Sequence, residues 1–464
     1  MKTAIYFFIF CLTALMAHAG KSYILTVTRG DITISNNSTE PALVPGDTLF
    51  IPANGKYTSV QYRHLKGDST NKIWIIWLPG SEVRLPKSFQ QLSNYNMSYV
   101  VIQGMRYFNL FATSKFSFGV HDVVFDHCQW INPPGAFKDQ PAIQWDDARS
   151  PVSMVFTGKK TQTFYNVTYQ GCLFDGFQNC SVIEMSSNWN NANNEPRRSI
   201  VLDFKFVNDT FQNIIITAPG GLAAIMGTGF NCKVRGCYFK NILGPDPSPA
   251  SHSASVLWFG SIDISGCKQE NSYAQFLRCV PLGWKSIPGY LDKNTACRAW
   301  GNIIHNNLGY SGFEFIRNMR NERTEANGVY PIKAICVFNT IFRTRRNNGY
   351  SAYYGFVADN LEEDTIDCSY NMIISPECDF PFDATRGYIV ANVLGKPKHL
   401  TMTGNKVFKS WMPNIVKDTL QFEPGPAALL AAPVKNYSFM DADFYGEPLS
   451  AKGKLYAGAV EKKR

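Results

Sequence analysis

The stretch that decides the fold is VRGCYFKNI, Val234–Ile242, because variants of it recur along the chain. YQGCLFDGF begins at Tyr169 and FDHCQWINP at Phe125, while SYNMIISPE begins at Ser369 and MTGNKVFKS at Met402. Each stretch has a small polar or thiol residue, then an apolar pair, then further polar residues. This recurrence predicts a solenoid, in which each copy is one unit of a stack.

One residue from each copy aligns in a single column, and the spacing varies from 23 to 44 residues. Such variation excludes helical repeats of fixed length and indicates a parallel β-helix, whose strands are joined by loops of free length. The expected column is Met105, Cys128, Cys172, Asp209, Cys237, Cys267, Asn302, Thr340, Asn371 and Asn405.

Residues of this column are expected to point inward at a bend, each above its counterpart. Asn or Thr there can form hydrogen bonds along the stack, and a thiol tolerates burial. We therefore interpret Cys128, Cys172, Cys237 and Cys267 as interior residues. No Cys-x-x-Cys pair points to zinc.

Strand-forming residues alternate with Gly, Asn and Asp clusters, and long amphipathic helical patterns are hard to find. The sequence therefore predicts an all-β chain with a single β-helix of roughly ten rungs. We expect an N-terminal lead-in segment and first rungs at 20–95, the β-helix at 96–410, and a C-terminal tail or cap at 411–464.

The first 19 residues are typical of a secretory signal peptide. Lys2 precedes an apolar run, and Ala17-His18-Ala19 supplies small residues for cleavage before Gly20. We expect a secreted protein (periplasmic, extracellular or cell-surface) with no membrane span, because no later stretch is long and apolar enough. Removal of Cys11 leaves an odd number of cysteines, which argues against a disulfide framework.

The formal net charge is +9, with Lys and Arg spread along the chain. Because the basic residues are mostly not clustered, we expect no nucleic-acid partner. An exported basic protein is suited instead to an acidic polymer such as a uronate-bearing glycan, although a generic solvated surface explains the charge equally well.

Two segments resemble secreted β-helix proteins of the pectate-lyase-like superfamily. PGDTLFIPANGKY, Pro45–Tyr57, is similar to their opening segment, and DADFYGEPLSAKGKLYAGAV, Asp441–Val460, to a closing segment. Leu449 departs from the pattern, since a basic residue is common there. The resemblance implies a right-handed parallel β-helix, bacterial origin and action on acidic polysaccharides as a lyase or hydrolase, whereas other such proteins are adhesins. We expect a monomer.

A second set of strands is expected to form a polar stripe on one face. Gln144, Glu184 and Glu314 occupy similar outward positions, which ordinary solvated residues would explain equally well, and Trp258 offers an apolar ring face for a sugar if it points outward. Asp146, Asp147 and Glu184 are candidate calcium ligands, because calcium binds oxygen atoms. No cofactor is certain.

Six arginines follow two successive repeats of this set. They lie in RNMRNERT and RTRRNNGY, and neighbouring carboxylates offer an alternative explanation for them. Eliminating across a uronate needs a base and positive charge for the enolate that forms. The candidate catalytic residues are Arg317, Arg320, Arg345 and Tyr350. The candidate substrate-binding residues are Gln144, Glu184, Trp258, Glu314, Arg343, Arg346 and Tyr353.

Three functions are thus open. The leading hypothesis is β-elimination on an acidic, uronate-containing polysaccharide. A non-catalytic glycan-binding or surface structural solenoid is the alternative, because the signatures of pectate lyases and polygalacturonases are absent. A glycoside hydrolase is the third, and it needs two carboxyl groups roughly 5–10 Å apart.

Overall fold

The chain is all-β: every regular element among the described residues of the computed structural model is a β-strand. None of these residues forms a helix of the length and apolarity that a membrane crossing requires. The structure describes residues 20–36, 42–86, 91–108, 113–132, 143–145, 153–156, 159–178, 180–185, 189–190, 195–196, 199–216, 222–243, 253–280, 296–307, 311–316, 333–342, 354–359, 365–374, 399–401, 403–408 and 437–440.

The strands fall into three groups along the chain. The first group is β1 (Ser22–Ile24), β2 (Arg29–Ser35), β3 (Thr48–Ile51), β4 (Lys56–Lys66), β5 (Ile73–Trp77), β6 (Glu82–Arg84), β7 (Gln91–Gln103), β8 (Arg106–Phe108), β9 (Thr113–Phe116), β10 (Val120–Asp126), β11 (Gln129–Ile131) and β12 (Ile143–Trp145). The second is β13 (Ser153–Phe156), β14 (Lys159–Gln170), β15 (Leu173–Gln178), β16 (Ile183–Met185), β17 (Trp189–Asn190), β18 (Glu195–Pro196), β19 (Ser199–Leu202), β20 (Lys205–Val207), β21 (Thr210–Ile215), β22 (Ala223–Arg235), β23 (Tyr238–Leu243) and β24 (Ala254–Ser265). The third is β25 (Lys268–Ser272), β26 (Gln275–Val280), β27 (Ala296–Trp300), β28 (Ile303–Asn307), β29 (Ser311–Ile316), β30 (Lys333–Val337), β31 (Thr340–Phe342), β32 (Tyr354–Asp359), β33 (Thr365–Asp367), β34 (Met372–Ile374), β35 (His399–Thr401) and β36 (Lys406–Phe408).

Nearly all of these strands belong to three parallel ladders, which the chain visits in turn. Ladder A contains β1, β3, β5, the end of β7, β10, the end of β14, β20, the ends of β22 and β24, β27, β30, β33 and β35. Ladder B contains β6, β8, β11, β15, β21, β23, β25, β28, β31, β34 and β36. Ladder C contains β2, the middle of β4, the start of β7, β9, β12, β16, the starts of β22 and β24, β26, β29 and β32.

Two antiparallel pairs depart from this pattern within the described part of the chain. β13 pairs with the start of β14, and β17 pairs with β18. Among the described strands, β19 also lies outside the three ladders and pairs in parallel with β14 and β22. The parallel stacking that the repeats predict is therefore present, and it aligns equivalent residues of successive circuits.

Stacked side chains fill the space between the ladders. In ladder B the rings of Tyr107, Trp130, Phe174, Phe211 and Phe239 follow one another, with centroids 4.7 to 6.1 Å apart. All five are buried. Offset stacking of this kind adds to the hydrophobic gain, and it requires an aromatic at the same step of each copy.

The corner between ladders A and B is a short turn whose first residue has positive φ. Six of the ten residues there are Gly, which tolerates this conformation, and one is Asn. At Gly236 a Cβ atom would also lie 2.2 Å from Oδ1 of Asn208, so a side chain there would displace that amide. The ten residues are Gly104, His127, Gly171, Asn208, Gly236, Gly266, Gly301, Phe338, Tyr370 and Gly404.

The residue after each of these ten forms the inner column. It matches the predicted column except at Thr340, where the structure has Asn339 instead. Thr340 starts the ladder B strand, and Ile341 is the buried apolar residue beside it. The prediction was one residue late because VFNTIF offers two polar residues in succession. The four cysteines predicted to be interior are buried, as expected.

Cysteine chemistry is limited among the ten cysteines that the structure describes. Cys279 in ladder C and Cys297 in ladder A form a disulfide. The other eight are buried and are not part of this disulfide. Burial raises the pKa of the Cys232 and Cys336 thiols well above the usual value, so these groups stay protonated and unreactive.

Four described residues of the predicted tail, 437–440, contact the outside of ladder A. The hydroxyl of Tyr437 donates a hydrogen bond of 2.8 Å to Oδ2 of Asp367. The ring of Phe439 lies 5.0 Å from that of Trp300, and the guanidinium of Arg298 lies over it. The rest of 411–464 lies outside the described residues, so the tail or cap stays a prediction.

Candidate functional site

The candidate site is the outer column of ladder C, one residue from each of eight strands. These residues are aligned in register and lie between inward-facing neighbours such as Ile143, Ile183 and Ile225, which are fully buried. Adjacent members are one strand spacing apart, about 4.8 Å. The column is Lys115, Gln144, Glu184, Met226, Leu257, Arg278, Glu314 and Val357.

Polar residues begin the column. Lys115, Gln144 and Glu184 are consecutive, and Lys115 and Glu184 are partly exposed. The sequence predicted that Gln144, Glu184 and Glu314 occupy one face, and the register agrees. The amine of Lys115 and the carboxylate of Glu184 offer donors and an acceptor to the hydroxyl and carboxylate groups of a sugar polymer.

The middle of the column is apolar. Met226 and Leu257 are buried and form a small hydrophobic cluster with Ala223 and Ala254, against which Phe259 packs. This cluster is separate from the main core, since it lies on the other side of the ladder C strands. The residues of this cluster were not among those predicted from the sequence.

Arg278 and Glu314 follow the apolar residues. Nε of Arg278 lies 3.1 Å from Oε2 of Glu314, and the two side chains are 15% and 4% exposed. Burial lowers the pKa of Arg278, and the charge of Glu314 opposes that shift. Glu314 was predicted to face solvent and bind substrate. The structure instead buries its side chain beside a cation, because an ionised carboxylate away from water needs a charge partner.

Trp258 does not offer a ring face to a sugar. The residue is fully buried in the core, and its indole Nε1 donates to the carbonyl oxygens of Gly229 and Ser261, at 3.2 and 3.1 Å. Alternation explains the difference, because Trp258 neighbours the outward Leu257 and so points inward.

All four predicted catalytic residues lie outside the described residues, and their roles stay predictions. Glu184 is placed on the outer column, but no group of three or more candidate metal ligands occurs among the residues that are described. Calcium therefore also stays a prediction. The residues outside the described ranges are Arg317, Arg320, Arg343, Arg345, Arg346, Tyr350, Tyr353, Asp146 and Asp147.

A second polar cluster, on the outside of ladder B, was missed by sequence reasoning. The hydroxyl of Tyr238 donates to Oε2 of Glu270 at 2.5 Å, and Nζ of Lys268 lies 3.0 Å from the same oxygen. Burial raises the pKa of Glu270, but these hydrogen bonds outweigh it and lower the pKa overall. His305 is the register partner of Glu270, and burial lowers its pKa. The four residues come from three separate copies, so only their alignment in register would have shown them together.

No family model and no curated protein matches the chain. Among solved structures, it is similar to a family PL6 polysaccharide lyase from Pseudopedobacter saltans, with 13% identity, a TM-score of 0.45, and coverage of 92% of this chain and 98% of that one. It is also similar to the catalytic domain of a GH87 α-1,3-glucanase, with 12% identity, a TM-score of 0.30, and coverage of 81% and 64%. An alginate lyase from Paenibacillus has 11% identity, a TM-score of 0.26, and coverage of 81% and 99%. All three TM-scores are below 0.5.

Proposed function

We propose that this protein is an exported carbohydrate-active protein that binds an acidic, uronate-containing polysaccharide along the outer column of ladder C and cleaves it by β-elimination. The observation that supports this most directly is the column itself. Its eight residues extend over roughly 34 Å at the strand spacing, and they include Lys115, Glu184 and Arg278. Its partly exposed end, at Lys115 and Glu184, is open to contact with an extended polymer.

The chemistry requires a base and a cation near the carboxylate next to the proton that is removed. In this proposal Lys115 and Arg278 contribute positive charge from the described part of the face. Arg317, Arg320, Arg345 and Tyr350 are the proposed catalytic residues, with Arg343, Arg346 and Tyr353 binding substrate. Calcium held by Asp146, Asp147 and Glu184 is the alternative source of charge.

We further propose that the three ladders form one right-handed parallel β-helix of roughly ten rungs. Their fixed cyclic order and the αL corner between ladders A and B support this architecture. A solenoid presents each ladder as a continuous exterior face, which is what a polymer-binding site needs.

The two glutamates of the described outer column do not suit hydrolysis. Glu184 and Glu314 are the carboxylates of the described outer column, and four strand steps, about 19 Å, separate them. Both hydrolytic mechanisms place the carboxyl groups within roughly 10 Å of each other. The alternative of a non-catalytic binding protein is favoured by the pairing of Arg278 with Glu314, since paired charges need no catalytic role.

The experiment is incubation of the mature protein with a panel of uronate polymers, with and without calcium, while the ultraviolet absorbance of the unsaturated product is followed. We expect absorbance to rise on one polymer and the rise to be lost in Arg317→Ala and Arg345→Ala. Lys115→Ala should weaken the rate, whereas Lys205→Ala, on ladder A, should not. Binding to a polymer without any absorbance increase would overturn the lyase proposal and support the binding protein.

A further inference from the structure

Gln275 is a buried amide whose hydrogen-bonding capacity is unused within the described structure. It begins β26 and is 1% exposed, yet neither its Oε1 nor its Nε2 atom forms a hydrogen bond to any described residue. Leaving both amide atoms unpaired away from water is costly, and buried side-chain polar groups in native proteins usually have a partner. The amide is therefore suited to a partner that is not part of the chain.

Gln275 lies on the outer side of ladder C. Its register partner Ala254 belongs to the small apolar cluster with Leu257, outside the main core. Phe276 and Leu277, the next two residues, are both in the main core. Two consecutive inward residues place Gln275 and Arg278 on the same outer side, although regular alternation would separate them.

The guanidinium of Arg278 also has hydrogen-bond donors beyond those that contact described residues. Its guanidinium has five N–H donors in a planar fork, and the contact found for it among the described residues is the one from Nε to Glu314. Glu314 thereby holds the guanidinium in place. The terminal nitrogens of the fork are suited to bidentate binding of a carboxylate.

We propose that Gln275 and Arg278 form a subsite that binds the carboxylate of one uronate unit, with Glu314 as the positioning residue for Arg278. Met226 and Leu257 precede Arg278 in the column and make the surroundings of its guanidinium apolar. The subsite rests on the proposed function, and it assigns recognition of the acidic group to residues that sequence reasoning did not select.

The test has a stability arm and a binding arm. Gln275→Met removes the unpaired amide, so we expect a higher denaturation midpoint than in the parent protein. The matched control is Gln269→Met, because Gln269 is equally buried but pairs with Ser255 at 2.5 Å and with the carbonyl of Ala274 at 3.1 Å. Gln269→Met should lower the midpoint.

In the binding arm, calorimetry measures the affinity for galacturonate, mannuronate and guluronate dimers and for their methyl esters. We expect one acid dimer to bind more tightly than its ester. Gln275→Met and Arg278→Lys, which retains the charge next to Glu314, should each weaken the binding of that acid roughly tenfold. Neither variant should change the binding of the ester, and Gln269→Met should change neither affinity.

The outcomes separate this inference from the proposed function. Dimer binding that depends on Gln275 and Arg278 without any polymer cleavage would remove the lyase reaction and keep the subsite. Polymer cleavage with no difference between acid and ester, or with unchanged affinity in both variants, would overturn the subsite and leave the lyase in place. A lower midpoint for Gln275→Met would show that its amide has a partner within the chain, which would also overturn the subsite.

Discussion

The inner column at the corner of ladders A and B has two halves with different chemistry. The thiol half is Cys128, Cys172, Asp209, Cys237 and Cys267, and the asparagine half is Asn302, Asn339, Asn371 and Asn405. Both occupy the same geometric position in successive circuits. The difference therefore isolates what each side chain contributes at a fixed position in the fold.

The asparagine half is a continuous chain of hydrogen bonds. Oδ1 of Asn339 accepts from the side chain of Asn302 at 2.9 Å, and Nδ2 of Asn339 donates to Oδ1 of Asn371 at 3.1 Å. Each amide also pairs with backbone groups of neighbouring circuits. In the thiol half the sulfurs donate instead to carbonyl oxygens, as Cys128 does to Ile102 at 3.3 Å. The same corner is thus stabilised by hydrogen bonds between side chains in one half and by the burial of small thiol side chains in the other.

Replacing Asn339 should produce the largest effect. Asn339→Ala removes an acceptor used by Asn302 and donors used by Ala299 and Asn371, which leaves several buried groups unpaired. We expect a loss of about 4 kcal/mol in the free energy of unfolding. Denaturant titration followed by circular dichroism measures it.

The matched control for that variant is Cys237→Ala, in the thiol half. It removes one sulfur and a weak contact to the carbonyl of Arg235, so we expect a loss of about 1 kcal/mol. Equal losses for the two variants would contradict the distinction between the halves.

Asp209 makes the thiol half sensitive to pH. Burial raises the pKa of this carboxyl to about 8, although backbone hydrogen bonds from Cys172 and Val207 oppose the shift. The usual value is about 4, so the folded state binds the proton more tightly than the unfolded state. This contribution to stability is fully present below pH 4 and is lost as the pH rises towards 8.

We therefore expect the parent protein to lose about 3 kcal/mol of stability between pH 5 and pH 8 through this one group. Asp209→Asn should remove that loss, because the amide does not ionise. Denaturant midpoints at both pH values provide the measurement, and the variant should gain on the parent protein between pH 5 and pH 8. A parallel pH dependence in both proteins would show that Asp209 does not ionise differently in the folded state.

Extending the asparagine half by one residue should have a smaller effect. Cys267 already donates its backbone N–H to Oδ1 of Asn302 at 3.0 Å, so Cys267→Asn places a new amide next to an existing one. We expect a change within about 1 kcal/mol. Cys128→Asn is the contrasting variant, because its column neighbours Met105 and Cys172 offer no amide, and it should be less stable than Cys267→Asn.

The smallest expected effect is the labelling of thiols in the native protein. Burial raises the pKa of Cys172, Cys237 and Cys368, so these thiols should resist iodoacetamide until the protein unfolds. Mass spectrometry of native and urea-unfolded samples measures the labelling of each cysteine. Labelling of Cys237 in the native protein would contradict its burial.

Much of the fold was accessible from the sequence because the repeats constrain each other. Nine of the ten expected column residues are correct, since a thiol or amide followed by an apolar residue is a clear local pattern. The error at Thr340 arose where two polar residues compete for the column. The backbone pairing of Thr340 with strands of neighbouring circuits places it in ladder B, and the sequence of one repeat does not show that pairing.

The candidate site was less accessible. Alternation correctly grouped Gln144, Glu184 and Glu314, but it could not show that Glu314 is buried beside Arg278. Gln275 was missed because two consecutive inward residues follow it, which breaks the period of two. Burial of outward side chains depends on what lies over a ladder, and no pattern within a single strand contains that information.

The turn between ladders A and B has a consequence for how such a chain can change over generations. From Gln103–Arg106 to Val337–Thr340, two residues separate the ladder A strand from the ladder B strand in every circuit. An inserted residue there would displace the inner column. The other two corners have connections of varied length, so insertions and deletions can accumulate there while the stack is inherited intact. New specificities can therefore evolve at two corners of the molecule, with the third conserving the register.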